Sequence, residues 1–89
     1  MNNIKIDFKK LPVVLHFGNS FQKLILSDEV TDYFMFNYLE ISWHVGKKRY
    51  LVEFSSTRAG MGKHFSFVDL PSIKHLLETK TNIDAEIII

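Results

Sequence analysis

The chain predicts an α+β fold, with an antiparallel or mixed sheet of about five or six strands and one C-terminal helix. Three observations carry that prediction. Ile4, Ile6 and Phe8 alternate with Lys5, Asp7 and Lys9, the period of a strand with one buried face. Leu39, Ile41, Trp43 and Val45 alternate with Glu40, Ser42 and His44, and after Gly46-Lys47-Lys48 the alternation resumes with Tyr50, Val52 and Phe54. Leu70, Ile73, Leu76 and Leu77 fall on one helical stripe, while Lys74, His75 and Glu78 fall on the other. Strand patterns that dominate one part of a chain and a helix confined to its end segregate into an α+β architecture.

The elements follow in order. Pro12 ends the first strand or begins the next, because it lacks the N–H a sheet ladder needs. Val13 to Phe17 reads as a strand that runs into Gly18-Asn19-Ser20, a turn triplet tolerant of positive φ, with Phe21 to Leu26 as its expected hairpin partner. Ser27-Asp28-Glu29 predicts a short second helix or helical turn that ends by about Asn37, since Ser27 can accept orphan N–H groups and the acids suit the helix dipole. The hairpin over 39–55 has two registers. One pairs Trp43 with Tyr50 and sets Glu40 against Glu53; the other slides by two and pairs Trp43 with Val52. Phe65, Phe67 and Val68 predict a short strand, and Asp69 with Pro71 opens the helix that Lys80 and Asn82 close. Ile83, Ala85, Ile87 and Ile89 predict a last strand, tucked into the sheet because an exposed Ile-Ile-Ile tail invites aggregation.

Composition narrows the function. Eighty-nine residues suit a single compact domain, 1–89. Hydrophobic residues make up 46% and aromatics 13%, which excludes disorder. With no cysteine there is no thiolate nucleophile, disulfide or cysteine-based metal site. No signal-like or membrane-length apolar run is visible, so a soluble, cytoplasmic protein is expected. The net charge is +1, but it comes in blocks: +3 over residues 1–24, −4 over 25–46, +4 over 47–64 and −2 over 65–89. Separate acidic and basic patches suit electrostatic steering of a partner better than blanket binding of a polyanion.

One stretch resembles a catalytic motif. Thr57-Arg58-Ala59-Gly60-Met61-Gly62-Lys63-His64 has the glycines and lysine of a phosphate loop. A Walker-type loop, however, needs Gly where Thr57 stands, Ser or Thr where His64 stands, and a helix where Phe65-Ser66-Phe67-Val68 reads as strand. An inter-strand loop carrying the exposed basic residues Arg58, Lys63 and His64 is the expectation. His16, His44, His64 and His75 lack metal-ligand spacing, and no nucleophile elbow is present. Asp28, Glu29 and Asp32 read as helix-start charges. No enzymatic activity, cofactor or metal is expected.

The binding candidates are the basic hairpin tip Lys47, Lys48 and Arg49, the loop residues Arg58, Lys63 and His64, and three side chains of the aromatic run Tyr33 to Tyr38. In that run Phe34 and Phe36 suit a core, while Tyr33, Met35 and Tyr38 suit a contact surface. Trp43 is expected in the core. These features point to a small, non-catalytic protein-binding domain acting stoichiometrically as an inhibitor or adaptor of another protein, the style of a phage or mobile-element antagonist of host machinery. The alternative is a nucleic-acid-binding module that uses the basic tip and the glycine loop. A homodimer is compatible with either.

Overall fold

The computed structural model describes residues 2–27, 31–58, 60 and 62–89. Among them are eight strands, one α-helix and one turn of 3-10 helix over Phe8–Lys10. The strands are β1 (Asn2–Asp7), β2 (Val13–His16), β3 (Gln22–Ile25), β4 (Tyr33–Phe36), β5 (Tyr38–His44), β6 (Arg49–Ser55), β7 (Lys63–Val68) and β8 (Ile83–Ile88), and helix α1 spans Leu70–Lys80. The α+β prediction holds, with more strands than the pattern suggested. The main sheet is antiparallel in the order β2-β5-β6-β7, β3 pairs with β4, and β1 pairs in parallel with β8.

Alternation in β5 and β6 decides where the core sits. Leu39, Ile41, Val52 and Phe54 are fully buried on one face of the sheet. On that face they meet Ile6, Ile83 and Ala85 from the β1–β8 pair, Ile73 and Leu77 from α1, and Leu24, Phe34 and Phe36 from the β3–β4 pair. Helix, parallel pair and small hairpin therefore cover the same side of the main sheet. The predicted helical stripe is the one that buries, and Lys74, His75 and Glu78 face water. Asp69 stands at the N-cap and accepts the Ser72 hydroxyl at 2.5 Å. The closing strand forms as predicted but ends at Ile88, and Ile89, expected in the sheet, lies beyond it and is exposed.

Three expectations need correction. Val13–His16 does not pair with Gln22–Ile25: both run antiparallel to the continuous β4–β5 segment, β2 against β5 and β3 against β4. The Gly18-Asn19-Ser20 turn is thus a jog along one edge, with Gly18 at φ 64°. Tyr33–Phe36 is a strand, not the end of a helix, because its aromatic side chains alternate between buried and outward faces and pair across to β3. The predicted helix start at Asp28 and Glu29 lies outside the described residues. Trp43 is the third. It shares the inner face of β5 but stands beyond the end of β2, which reaches only to Ile41, so it is 47% exposed.

The β5–β6 hairpin takes the register that opposes Trp43 to Tyr50, Ile41 to Val52 and Glu40 to Glu53. Its turn closes with the Lys48 N–H donating to the Val45 carbonyl at 3.3 Å, and Lys48 adopts φ 52°. The facing glutamates are compensated locally. Tyr38 donates its hydroxyl to Glu40 Oε1 at 3.3 Å, and Lys63 Nζ lies 3.8 Å from Glu53 Oε2.

Candidate functional site

Because a strand's side chains alternate, the burial of Leu39, Ile41, Val52 and Phe54 turns their neighbours outward. The outward face of the main sheet carries Val14 and His16 on β2, and Tyr38, Glu40, Ser42 and His44 on β5. It continues with Arg49, Leu51, Glu53 and Ser55 on β6, then Lys63, Phe65 and Phe67 on β7. Among the described residues no helix or strand packs on this side. Val14 is 48% and Phe65 59% exposed, so apolar surface stands in water at both margins of the sheet.

At the β7 margin the apolar side chains adjoin one another. Phe65 and Phe67 stack edge to face with centroids 5.7 Å apart, and His44 packs on Phe67 at 5.1 Å. Leu51, paired with Phe67 across the strands, completes a shallow groove of about 270 Å³ whose polar walls are Glu53 and Lys63. Lys47 Nζ sits 5.2 Å from the Phe67 ring centre, a cation–π contact that caps the groove at the hairpin-tip end. The centre of the face is acidic, through Glu40 and Glu53. Tyr38 beside them has its pKa raised above the ordinary 10, first by desolvation and then by the charge of Glu40, its hydrogen bond to Glu40 and the charge of Glu53.

The predicted binding residues do not form one patch. Lys47, Lys48 and Arg49 mark one end of β6, whereas the loop after Ser55 lies at the other, about 20 Å away at ~3.4 Å per residue. The glycine loop itself comes apart chemically. Lys63 and His64 are the first two residues of β7 and point to opposite faces: Lys63 to the outward face, His64 inward, its ring 4.6 Å from Phe34. Arg58 stacks its guanidinium 4.3 Å above Phe21. Strand, not helix, follows Lys63, so the helix N-terminus that a phosphate loop relies on is not built. Ala59 and Met61 lie outside the described residues. Tyr33 and Met35 sit on β4, on the far side of the corner at Asn37. Tyr33 is exposed under the Lys23 ammonium at 4.3 Å, and Met35 is half-buried, while Phe34 and Phe36 are buried. Tyr38 alone of the three belongs to the flat outward face.

The Leu51–Phe65–Phe67 cluster is not among the residues expected to bind. A signal was present: Leu51 interrupts an otherwise polar alternation in β6, and Phe65 and Phe67 share the parity of Lys63. The histidines are scattered. His16 accepts the Gly18 N–H at 3.2 Å and packs on Tyr38, and His44 accepts the Lys47 N–H at 3.1 Å. Among the described residues no group of three His, Asp or Glu side chains is placed to hold a metal, and no helix is long and apolar enough to cross a membrane. No protein-family model, curated protein or solved structure matches this chain.

Proposed function

We propose that the chain is a small non-catalytic protein-binding domain that acts stoichiometrically, as an inhibitor or adaptor, through the outward face of its four-stranded sheet. The observation that carries this reading is the groove of Leu51, Phe65, Phe67 and His44, with Phe65 59% exposed beside the Glu40–Glu53 pair. An exposed aromatic cluster rimmed by charge suits a protein surface. The chemistry of the partner follows: an apolar side chain for the groove and a lysine or arginine placed between the two carboxylates. An antagonist of host machinery carried by a phage or mobile element is one setting for such a domain. Aromatic side chains on an open sheet also suit stacked bases, but the paired carboxylates at its centre oppose a phosphate backbone.

The test is affinity capture with mass spectrometry, run with nuclease, comparing the wild-type chain with Phe65→Asp, Glu40→Lys and a Lys48→Ala variant of the hairpin tip. Proteins retained by wild type and by the tip variant, and lost by the first two, support the face. Phe65→Asp and Glu40→Lys must keep the wild-type melting profile. A captured set that ignores both face substitutions, or that nuclease removes, overturns the proposal.

A second reading rests on the hairpin tip. Trp43 packs edge to face on Tyr50 at 4.9 Å, and Tyr50 on Phe8 at 5.0 Å. This half-exposed aromatic row stands at the sheet end that carries Lys47, Lys48 and Arg49, the layout of a single-strand nucleic-acid contact.

A further inference from the structure

The open edge of the main sheet, β7, is self-complementary. We infer that two copies of the chain pair β7 against β7 in antiparallel fashion, giving a continuous eight-stranded sheet. The edge shares Lys63, Phe65 and Phe67 with the groove proposed for a partner, but the inference does not rest on that partner and is tested by self-association alone. On the face side, the extended segment from Lys63 to Asp69 reads Lys63, Phe65, Phe67, Asp69, and Asp69 keeps an extended backbone at φ −82°, ψ 168°. Turned about a two-fold axis at Ser66, that row matches itself. Lys63 meets Asp69 of the second copy, Phe65 meets Phe67 of the second copy, and Ser66 meets Ser66. Opposite charges and aromatic pairs directly across strands are the favourable combinations, and no other antiparallel alignment joins both lysines to carboxylates. Each Lys63 would then lie between its own Glu53, 3.8 Å away, and the second copy's Asp69.

Among the described residues the outer edge of β7 pairs with no other strand. Natural edges are blunted by proline, lysines, inward charges, bulges or shortness, and of these β7 carries Lys63 at its first position, where the pairing gives it a carboxylate. The opposite edge, β2, has four residues and follows Pro12. By contrast β7 has six residues without Pro or Gly, and among the described residues only β6 pairs with it. Beside its inner side lies a groove of about 200 Å³, lined in part by Leu24, Leu26, Phe54 and Leu76, with room for the inward residues of an added strand. Because β2 is short and the β7 match is two-fold, pairing through β7 closes at two copies.

Sedimentation equilibrium of the purified chain tests this, with the monomer at 10.4 kDa and the dimer at twice that. A concentration-dependent dimer is expected. Lys63→Glu should weaken it about tenfold or more, since like charges then face each other at both ends of the pair. Adding Asp69→Lys to Lys63→Glu should restore it. The chain has no cysteine, so Ser66→Cys reports the register independently: oxidation should yield a covalent dimer, while Asn82→Cys, on the exposed turn after α1, should not. A monomer up to millimolar concentration overturns the inference. So does a dimer that is indifferent to the charge swap, or one that leaves Ser66→Cys uncrosslinked.

Discussion

Asn37 and Thr57 bond to each other twice: Asn37 Nδ2 donates to Thr57 Oγ1 at 2.9 Å, and the Thr57 N–H donates to Asn37 Oδ1 at 3.1 Å. Asn37 Nδ2 also donates to the Gly18 carbonyl at 2.8 Å. Its backbone accepts from the Phe17 N–H at 2.8 Å and donates to the Ser55 carbonyl at 3.1 Å. One buried residue thus anchors the jog after β2, the corner between β4 and β5, and the start of the glycine loop. Phe36 and Asn37 are both buried, so the inward–outward alternation slips by one residue at this corner. Asn37→Leu takes the partner from the Thr57 N–H, the Thr57 hydroxyl and the Gly18 carbonyl and should destabilise the fold by about 2–3 kcal/mol. Thr57→Val removes only one side-chain bond and should cost about 1 kcal/mol. Urea denaturation measures both, and equal effects would mean that Asn37 is not the shared anchor.

Trp43 should behave as a half-exposed residue. Its edge-to-face pair with Tyr50 is worth ~0.5–1.5 kcal/mol, so Trp43→Ala should cost about 1 kcal/mol. Phe36→Ala or Phe54→Ala, in the fully buried core, should each cost ~3–5 kcal/mol. Acrylamide should quench much of the tryptophan emission of the native protein, and a quench-resistant Trp43 would contradict its position beyond the end of β2.

Tyr38 gives a pH handle on the acidic centre of the sheet. Desolvation, Glu40 and Glu53 all disfavour its phenolate, so its pKa in the folded state is raised. The protonated form is therefore favoured by folding. The associated stability is present below the ordinary value near 10 and is lost as pH rises through the raised folded value. Carbon NMR of the Tyr38 ring should show titration above 10, and Glu40→Gln should move it downward by removing both a charge and a hydrogen-bond acceptor. An unmoved titration would show that the hydroxyl does not engage Glu40.

Much of this architecture is legible in the residues because it rests on local rules. The β5–β6 hairpin, the α1 stripe and the closing strand all follow from periodicity. What was not legible depended on who pairs with whom. Phe21 to Leu26 looks like the return strand of Val13 to Phe17 until the long β4–β5 partner is known, and no local signal distinguishes a jog from a reversal at Gly18. Trp43 has the parity of a core residue, but its exposure is set by the length of β2, an element 30 residues earlier in the chain. The aromatic groove is likewise a product of register: Leu51 meets Phe67 only once β6 and β7 are paired.

The glycine loop should bind no nucleotide. Lys63 opens a strand and pairs with Glu53, so neither its ammonium nor a helix dipole is aimed at a phosphate. Titration with labelled ATP or GTP and magnesium should show no saturable binding. Low-micromolar binding abolished by Lys63→Ala would overturn this.

The salt dependence of any nucleic-acid binding should report how many cations act together. Were the tip and the loop one surface, Lys47, Lys48, Arg49, Arg58 and Lys63 would release ~5 counterions, a log–log slope of about −3.5 on single strands and −4.5 on duplex. The fold separates them by about 20 Å of strand, stacks Arg58 on Phe21 and ties Lys63 to Glu53. Glu40 and Glu53 stand on the face between the two ends and repel a polyanion laid across it. The tip alone remains, so the slope should be about −2 on single strands and −2.7 on duplex. Such contacts give only weak, sequence-independent binding at physiological salt, and Lys47→Ala with Lys48→Ala and Arg49→Ala should flatten the slope nearly to zero. Fluorescence anisotropy over a salt series reads this directly. A slope near −4.5 with nanomolar affinity would require both ends of the sheet to bind at once, and would replace the protein-binding reading with a nucleic-acid one.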